Sequence, residues 1–461
     1  MKFKDFCRQF QHSIVFLFKA LMYAASLATF FLMFAIDNPE IIVLSRTAAV
    51  TLSTFVIMLL VLTFMYGKYD IGHRRWGTVA LSVSITMIIT DMITYLELSI
   101  MKTNEANNTT FRLENIGILF LVFIIQIAVI ILAAYAGEAF YFWINPKEKC
   151  LIVTGDTSQA MRVAGALTSF EKKYSVSDIV SYEDPDLESR MVAADTIVLY
   201  ELPVEVRTGI IDFCYQNLKN IYFNPHIADI LEQNSHSVIV DDISFFSTRY
   251  HMITFEERLV KRFMDTLISL IALIITSPIL LAAAICIKKQ DGGSVFFRQR
   301  RATVHGRVFE IIKFRTMKEN VENFSSTEGD DRITKVGRVL RKYRIDELPQ
   351  FVNILRGDMS LVGPRPEMLE NVADYEKELP EFRYRLRMKA GLTGYAQIYG
   401  KYNTTSRDKL MLDLMYIENY SLIRDLQLLF QTVLVLFKAE DSTEAFKASE
   451  DRGSGDGKQE A

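Results

Sequence analysis

Read along its hydrophobic positions, the chain changes character near residue 145. Before that point four apolar stretches, at about residues 14–36, 47–66, 78–100 and 117–142, each reach or exceed the roughly 20 residues that a helix needs to cross a bilayer. They predict a four-helix transmembrane bundle over residues 1–145. No small-residue cleavage site follows the first stretch, so it reads as a retained span. Beyond it the pattern shortens. Strand-like runs at 150–154, 196–200 and 221–223 alternate with helical patterns at 158–170 and 204–217, and a polar loop spans 181–190. That alternation predicts a small parallel, Rossmann-like α/β domain over 146–250. A fifth apolar stretch, 263–287, then leads into strand-like runs at 294–297 and 308–314, a charged segment at 334–366, and a last helix apolar along one face. Such a helix is suited to lie on a membrane surface. The tail, 439–461, is charged and contains Gly and Ser, which predicts disorder.

Charges set the orientation. Lys2, Lys4 and Arg8 precede the first span and Lys68, His73, Arg74 and Arg75 fill the second loop, while the first and third loops balance their few basic residues with Asp37, Glu40, Glu105 and Glu114. Positive residues stay inside, so both ends of the bundle should face the cytoplasm, and so should all that follows residue 145. Lys261-Arg262 and Lys288-Lys289 flank the fifth stretch on both sides, and Ser277-Pro278 sits in its middle, where proline removes a backbone donor. These features predict a re-entrant hairpin over 256–289 that enters one leaflet, breaks at Ser277-Pro278 and returns. Asp91 and Lys19 lie within apolar segments and read as interhelical polar contacts or residues near a span end.

Composition agrees with a membrane part joined to a soluble part: of 461 residues 50% are hydrophobic, 32 of them Phe, yet 23% are charged. A net charge of −3 offers no basic field for nucleic acid. Cys7, Cys150, Cys214 and Cys286 are scattered without metal or disulfide spacing. In the middle domain Gly155-Asp156 lacks the G-x-G-x-x-G that cradles a pyrophosphate, and Asp184-Pro185-Asp186 looks like the metal-binding D-x-D of some glycosyltransferases but lies in an acidic loop.

The chemistry-bearing segment is 334–366, TKVGRVLRKYRIDELPQFVNILRGDMSLVGPRP. Asp346 and Glu347 stand side by side after Arg338, Arg341, Lys342 and Arg344, and Gly363-Pro364-Arg365-Pro366 fixes another arginine in a rigid turn. Carboxylates among arginines suggest phosphate chemistry, since a guanidinium binds phosphate bidentately and a carboxylate can hold a metal or attack. On the residues alone, a solvated helix with surface ion pairs is the competing reading.

The surrounding motifs decide between them. Lys261-Arg262 with Asp265, Ser277-Pro278, VFFRQ, KFRTM, LRKYRIDELPQFVNILRGDMSLVGPRP, GLTGYAQ and D-x-x-Y-I-x-N-x-S-x-x-x-D (Asp413 to Asp425) occur in order. Over about 261–437 the chain resembles the catalytic domain of the bacterial polyprenyl-phosphate sugar-1-phosphate transferases, with 251–438 as its bounds here; four spans plus a degenerate α/β domain look like the large members of that family. Three positions depart from its pattern: Ser294, Thr303 where glycine is usual, and Ala390 where proline is common.

The resemblance implies a membrane enzyme of mixed fold with an α/β catalytic domain, held at the inner leaflet of the bacterial cytoplasmic membrane. Asp346 would attack a UDP-hexose, release UMP, and pass the hexose 1-phosphate to polyprenyl (undecaprenyl) phosphate, the first step of capsule or exopolysaccharide synthesis. Mg²⁺ would be held by Asp346 and Glu347, with Arg341 and Arg365 at the phosphates and Lys313 and Arg315 as further phosphate contacts. A homodimer through the middle domain or the spans is compatible with it, and the sugar is not legible. Two other readings stand beside this one: a membrane-anchored, D-x-D-dependent glycosyltransferase that releases UDP, and a non-enzymatic four-span sensor or scaffold.

Overall fold

The computed structural model describes residues 3–66, 69–105, 113–248, 253–318, 331–400 and 404–437. The tail 439–461 lies outside the described residues. Contacts divide the chain into two compact units, Met1–Asn224 and Pro225–Ala461.

In the first unit a short helix α1 (Phe3–Gln9) precedes four long ones: α2 (Gln11–Ala35), α3 (Arg46–Met65), α4 (Trp76–Glu105) and α5 (Ile116–Ile144). All four are long and apolar enough to cross a membrane. Their inner faces meet in an aromatic cluster, where Phe30 packs on Phe34 and Phe55 and Phe34 on Tyr95, at centroid distances of 4.7, 5.6 and 5.7 Å. Polar groups share this interior. Gln126 of α5 donates to the Ser26 carbonyl of α2 at 3.0 Å and reaches the Asp91 carboxylate of α4 at 3.4 Å, so Asp91 has an interhelical partner. At one end of the helices, Arg75 donates to the Ser169 carbonyl at 2.6 Å and Glu138 pairs with Lys172 at 2.6 Å, which joins them to the layer that follows.

That layer consists of β1 (Glu148–Thr154), α6 (Thr157–Thr168), β2 (Tyr174–Ser181), α7 (Leu187–Ala193), β3 (Thr196–Tyr200), α8 (Val204–Gln216) and β4 (Asn220–Phe223). The four strands are parallel in the order β2-β1-β3-β4. Alternation along β1 buries both faces of the sheet: Leu151 and Val153 with Ile197 and Leu199, Cys150 and Ile152 with Val198 and Ala160. The 181–190 loop is preceded by a strand, β2, absent from the sequence reading. It is an edge strand whose residues are mostly half-exposed, so its sequence (YSVSDIVS) has little apolar signal. In the D-x-D stretch, Asp184 accepts the Asp186 backbone N–H at 2.8 Å and pairs with Arg190 at 3.6 Å, the contacts of a loop.

The second unit begins with α9 (Ile227–Glu232) and the hairpin β5 (His236–Val240) and β6 (Ile243–Ser247). Ile230 belongs to the same apolar core as Phe382 and Ile417, and Asn234 donates to the Glu418 carbonyl at 2.7 Å. The compact division therefore falls at Asn224, ahead of the 250 expected from the chain's pattern.

The element that organises this unit is α10 (Phe255–Asp291), opened by a Thr254–Glu257 capping box and ended by Gly292 at φ +74°. The helix runs on through Pro278, where the sequence predicts a break. The carbonyl that Pro278 leaves without its i−4 donor, Ile274 O, accepts the Ser277 hydroxyl at 2.7 Å. Around it Leu270, Ile271, Ile274, Ile275, Ile279 and Leu281 are exposed. Both ends, by contrast, are tied down. Near the start, Lys261 pairs with Asp425 and donates to the Val362 carbonyl at 3.1 Å, and Arg262 caps the Ile354 and Leu355 carbonyls at 2.6 and 2.7 Å. Asp265 accepts from Leu361 N and Ser360 Oγ at 3.0 and 2.8 Å. At the far end Ala283 and Ile287 pack with Phe314 and Leu340, Gln290 accepts the Val336 N–H at 3.2 Å, and Asp291 pairs with Arg315.

After α10 come the antiparallel strands β7 (Phe296–Ala302) and β8 (Val308–Phe314), then α11 (Lys335–Lys342), a 3₁₀ turn at Ile345–Glu347, α12 (Gln350–Arg356) and β9 (Ser360–Val362). Next are α13 (Leu369–Glu378), a 3₁₀ run at Pro380–Arg387, β10 (Gly391–Thr393), α14 (Tyr395–Tyr399), α15 (Ser406–Glu418) and α16 (Leu422–Phe437). β10 pairs parallel with β9, and the backbones approach so closely that a Cβ on Gly363 would lie 2.2 Å from Lys389 O and one on Gly391 2.1 Å from Gly363 N. Only glycine fits there.

The Lys261–Asp425 pair is buried, and Tyr416 OH donates to Asp425 at 2.7 Å. Removing one partner strands the other, so Lys261→Met should destabilise the second unit by about 3–5 kcal/mol, and a second change, Asp425→Leu, should recover most of that. Denaturant unfolding of the protein in detergent micelles measures both; a single variant as stable as the parent would contradict the arrangement.

Candidate active site

The site is assembled on one turn between two helices. Thr334 caps α11 by accepting the Gly337 N–H at 2.9 Å, and Gly337 lies against Thr316, whose carbonyl oxygen would stand 2.1 Å from an added Cβ. Arg341, in the last turn of α11, donates through Nε to Thr316 Oγ1 at 2.9 Å. The chain then reverses through Arg344 at φ +52°, a conformation that non-glycine residues seldom adopt, into the 3₁₀ turn that carries Asp346 and Glu347. Pro349 opens α12 directly after it.

Two cations converge on one carboxylate oxygen. Lys313 Nζ, from the end of β8, is 3.0 Å from Glu347 Oε1, and Arg365 NH2, from the Gly363–Pro366 turn, is 3.8 Å from the same atom. The Glu347 side chain is 18% exposed and Arg365 44%, so the arginine keeps a face toward solvent. Burial pushes Glu347 up, but Lys313 and Arg365 outweigh it and hold the carboxyl down at about 2. Asp346 goes the other way. Burial, and then the negative charge of Glu347, push it up to about 6 against the pull of Lys313 and Arg341. Two adjacent carboxyls are thus separated in acidity, Glu347 held low by its cations and Asp346 raised by burial and by Glu347.

Of the phosphate contacts expected from the sequence, Lys313, Arg341 and Arg365 surround the acidic pair. Arg315 is engaged elsewhere. It is buried, its guanidinium is bound to the Asp291 carboxylate, and its Nε donates to Ser294 O at 2.7 Å, which ties the end of α10 to β8. Ser277 and Pro278 lie in the exposed apolar middle of α10.

A second polar group lies behind Arg365 and was not evident from local pattern. Arg385 NH2 donates to the Arg365 carbonyl at 2.5 Å and pairs with Asp413 at 2.8 Å; both side chains are almost fully buried. Burial raises Asp413 to about 6 against the pull of Arg385. Glu367 pairs with Lys409 at 3.3 Å, and Arg301 donates to the Pro366 carbonyl at 3.2 Å. Thr303, Pro364, Arg365, Glu367, Arg385 and Ala390 line a small cavity here. Asp413 opens the D-x-x-Y motif, a signal that it matters, whereas Arg385 belongs to none of the quoted motifs.

For a divalent cation the donor set is small. Among the described residues no group of three or more His, Cys, Asp or Glu comes together. Mg²⁺ commonly takes one or two carboxylates and completes its shell with phosphate oxygens and water, and the Asp346–Glu347 pair fits that mode.

Comparison with known proteins places these elements in context. The profile of a family described as bacterial sugar transferase matches residues 256–439. The chain is 43% identical over 180 residues to a UDP-N-acetylgalactosamine-undecaprenyl-phosphate N-acetylgalactosaminephosphotransferase of Aeromonas hydrophila, covering 38% of this chain and 43% of that protein. It is 40% identical over 190 residues to a UDP-glucose:undecaprenyl-phosphate glucose-1-phosphate transferase of Caulobacter vibrioides, covering 40% of this chain and 71% of the other. With the exopolysaccharide production protein ExoY of Sinorhizobium fredii the identity is 39% over 191 residues, 38% of this chain and 83% of ExoY. The match thus spans less than half of the Aeromonas protein and most of the other two.

Proposed function

This chain belongs to the bacterial sugar transferase family, and on that premise we propose that it transfers a hexose 1-phosphate from a UDP-hexose to polyprenyl (undecaprenyl) phosphate, giving polyprenyl-diphospho-sugar and UMP. The observation that carries the reading is the acidic pair set among Lys313, Arg341 and Arg365 on the unit that also bears the apolar helix α10. The relatives' names, two undecaprenyl-phosphate sugar phosphotransferases and an exopolysaccharide production protein, point the same way. The step would be an early one in building a surface polysaccharide.

Asp346 is the nucleophile of this scheme. A carboxylate oxygen attacks the sugar-bearing phosphorus, the bond to the bridging oxygen breaks, and UMP leaves with the electron pair. An oxygen of polyprenyl phosphate then attacks the same phosphorus and displaces the Asp346 carboxylate. A carboxylate poised near 6 is deprotonated at neutral pH yet more basic than an ordinary Asp, which suits attack. Glu347 stays ionised throughout and draws Lys313 and Arg365 toward the phosphates. Asp346 and Glu347 would hold Mg²⁺ with the diphosphate, and the ion would neutralise charge there. Arg341 and Arg365 orient the phosphates.

The lipid substrate requires a membrane position. The reading of α10 as re-entrant rests on its two anchors. Between Ser269, buried near the start, and Ala283, buried against Phe314, lie 13 residues by number, 270–282. As a helix they measure roughly 20 Å, short of the roughly 30 Å of a hydrocarbon core. A segment held at both ends by one unit fits entry into a single leaflet. The finer architecture of this reading is a four-span bundle, a Rossmann-like domain, and a catalytic domain on the cytoplasmic face of the cell membrane.

Three measurements test this. Membranes given a panel of UDP-sugars and polyprenyl phosphate should release UMP rather than UDP, and Asp346→Asn should abolish release and lipid-linked product while still inserting; full activity in that variant would remove Asp346 as nucleophile. The pH profile of kcat/KM should fall on the acid side with a midpoint near 6, as protonation removes the attacking carboxylate, and Glu347→Gln should move the midpoint lower because it deletes the charge that raises Asp346. A limb unmoved by that change would contradict the coupling. Finally, Ser294→Cys should resist an impermeant thiol reagent in intact cells; labelling from outside would make α10 a true span.

A further inference from the structure

The turn that carries Arg365 is held on both sides. Pro364 and Pro366 lock their own φ angles, and a residue before proline is itself restricted. Gly391 N–H holds the Pro364 carbonyl at 2.9 Å, and Arg301 holds that of Pro366 at 3.2 Å. Between them lies the Arg365 carbonyl, bonded to the Cα that carries the side chain, so a donor that holds this peptide plane steadies the base from which the guanidinium reaches out. Among the described residues that carbonyl is taken by Arg385 NH2, at 2.5 Å. Arg385 is 4% exposed and Asp413, its partner at 2.8 Å, 1%.

We infer that the buried Asp413–Arg385 pair is a positioning device for the Arg365 clamp, fixing through the Arg365 carbonyl where its guanidinium meets a substrate phosphate. This rests on the reading of Arg365 as a phosphate-binding residue. Asp413 is the fixed end of the relay. It neutralises Arg385 and holds the guanidinium against the turn, where an unpaired Arg385 would seek water. Arg385 reaches the Arg365 carbonyl and Asp413 reaches Arg385, so on this reading their effect on substrate passes through Arg365. A pair that served stability alone would act whether or not Arg365 were present.

The distinction is measurable in full-length protein in detergent, using UDP with Mg²⁺ as the probe. Arg365→Gln and Arg385→Gln should each weaken UDP binding about 10-fold, and the two together about 10-fold again in total, because both remove one interaction. A double variant weakened about 100-fold, the product of two independent effects, would overturn the inference, as would Arg385→Gln binding like the parent. Asp413→Asn is the second probe should Arg385→Gln fold poorly. It should weaken UDP only while Arg365 is present, and an equal loss in the Arg365→Gln background would refute the relay. If UDP binding ignored Arg365→Gln itself, the clamp assignment would fail first, and the inference with it.

Discussion

The backbone carbonyls from Val362 to Pro366 are the constraint on which the second unit depends. Those of Val362, Pro364, Arg365 and Pro366 are taken by different parts of the chain. Val362 O accepts Lys261 from α10 at 3.1 Å and Tyr416 from α15 at 3.2 Å. Pro364 O, Arg365 O and Pro366 O accept Gly391 of β10, Arg385 of the 3₁₀ run and Arg301 of β7. Several of the donors are charged and buried, which makes these bonds stronger than neutral ones and makes their loss expensive. The apolar helix, the last helices of the chain and the arginine turn are thereby one rigid piece, and the glycines at 363 and 391 let the strands come close enough for it to form.

The same economy of charge governs the acidic pair. Two neighbouring carboxylates repel, and burying them raises the penalty of ionising both. The fold resolves this asymmetrically. It aims Lys313 and Arg365 at Glu347, which stays charged, and leaves Asp346 to absorb the repulsion as a raised pKa. Glu347 therefore acts on Asp346 in two ways: its charge makes the neighbour more basic, and its partners supply the cations that an anionic substrate would meet.

The long-period features of this arrangement were legible in the sequence because hydrophobicity writes them directly: the four apolar stretches, the basic residues flanking α10, the 308–314 strand and the acidic pair. What was not legible depended on partners distant in the chain. Lys313 and Arg315 look alike two residues apart, yet Lys313 meets Glu347 while Arg315 is bound to Asp291 at the end of α10, and no local pattern distinguishes them. Edge strand β2 escaped because solvent covers much of it. Thr303 and Ala390 read as two unrelated departures from the family pattern. In the fold they form one contact, with the Ala390 N–H, which a proline would lack, donating to Thr303 Oγ1 at 3.1 Å.

On the proposed reaction, one phosphorus must meet a soluble donor and then a lipid acceptor without the nucleophile moving between them. The packing around Ile345 suits that demand. Ile345, adjacent to Asp346, packs against the cluster of Ala283, Ile287, Phe314 and Leu340, so the turn that carries Asp346 is bedded on the stretch of α10 that leaves the apolar segment. The cations that face Asp346 come from β8 and α11, the elements whose Phe314 and Leu340 complete that cluster. The position of the apolar helix and that of the carboxylate relative to it are then fixed by one set of contacts. A nucleophile on a mobile loop would have to find the lipid phosphate anew in each cycle, whereas one seated on the membrane helix is already held at the level where that phosphate resides.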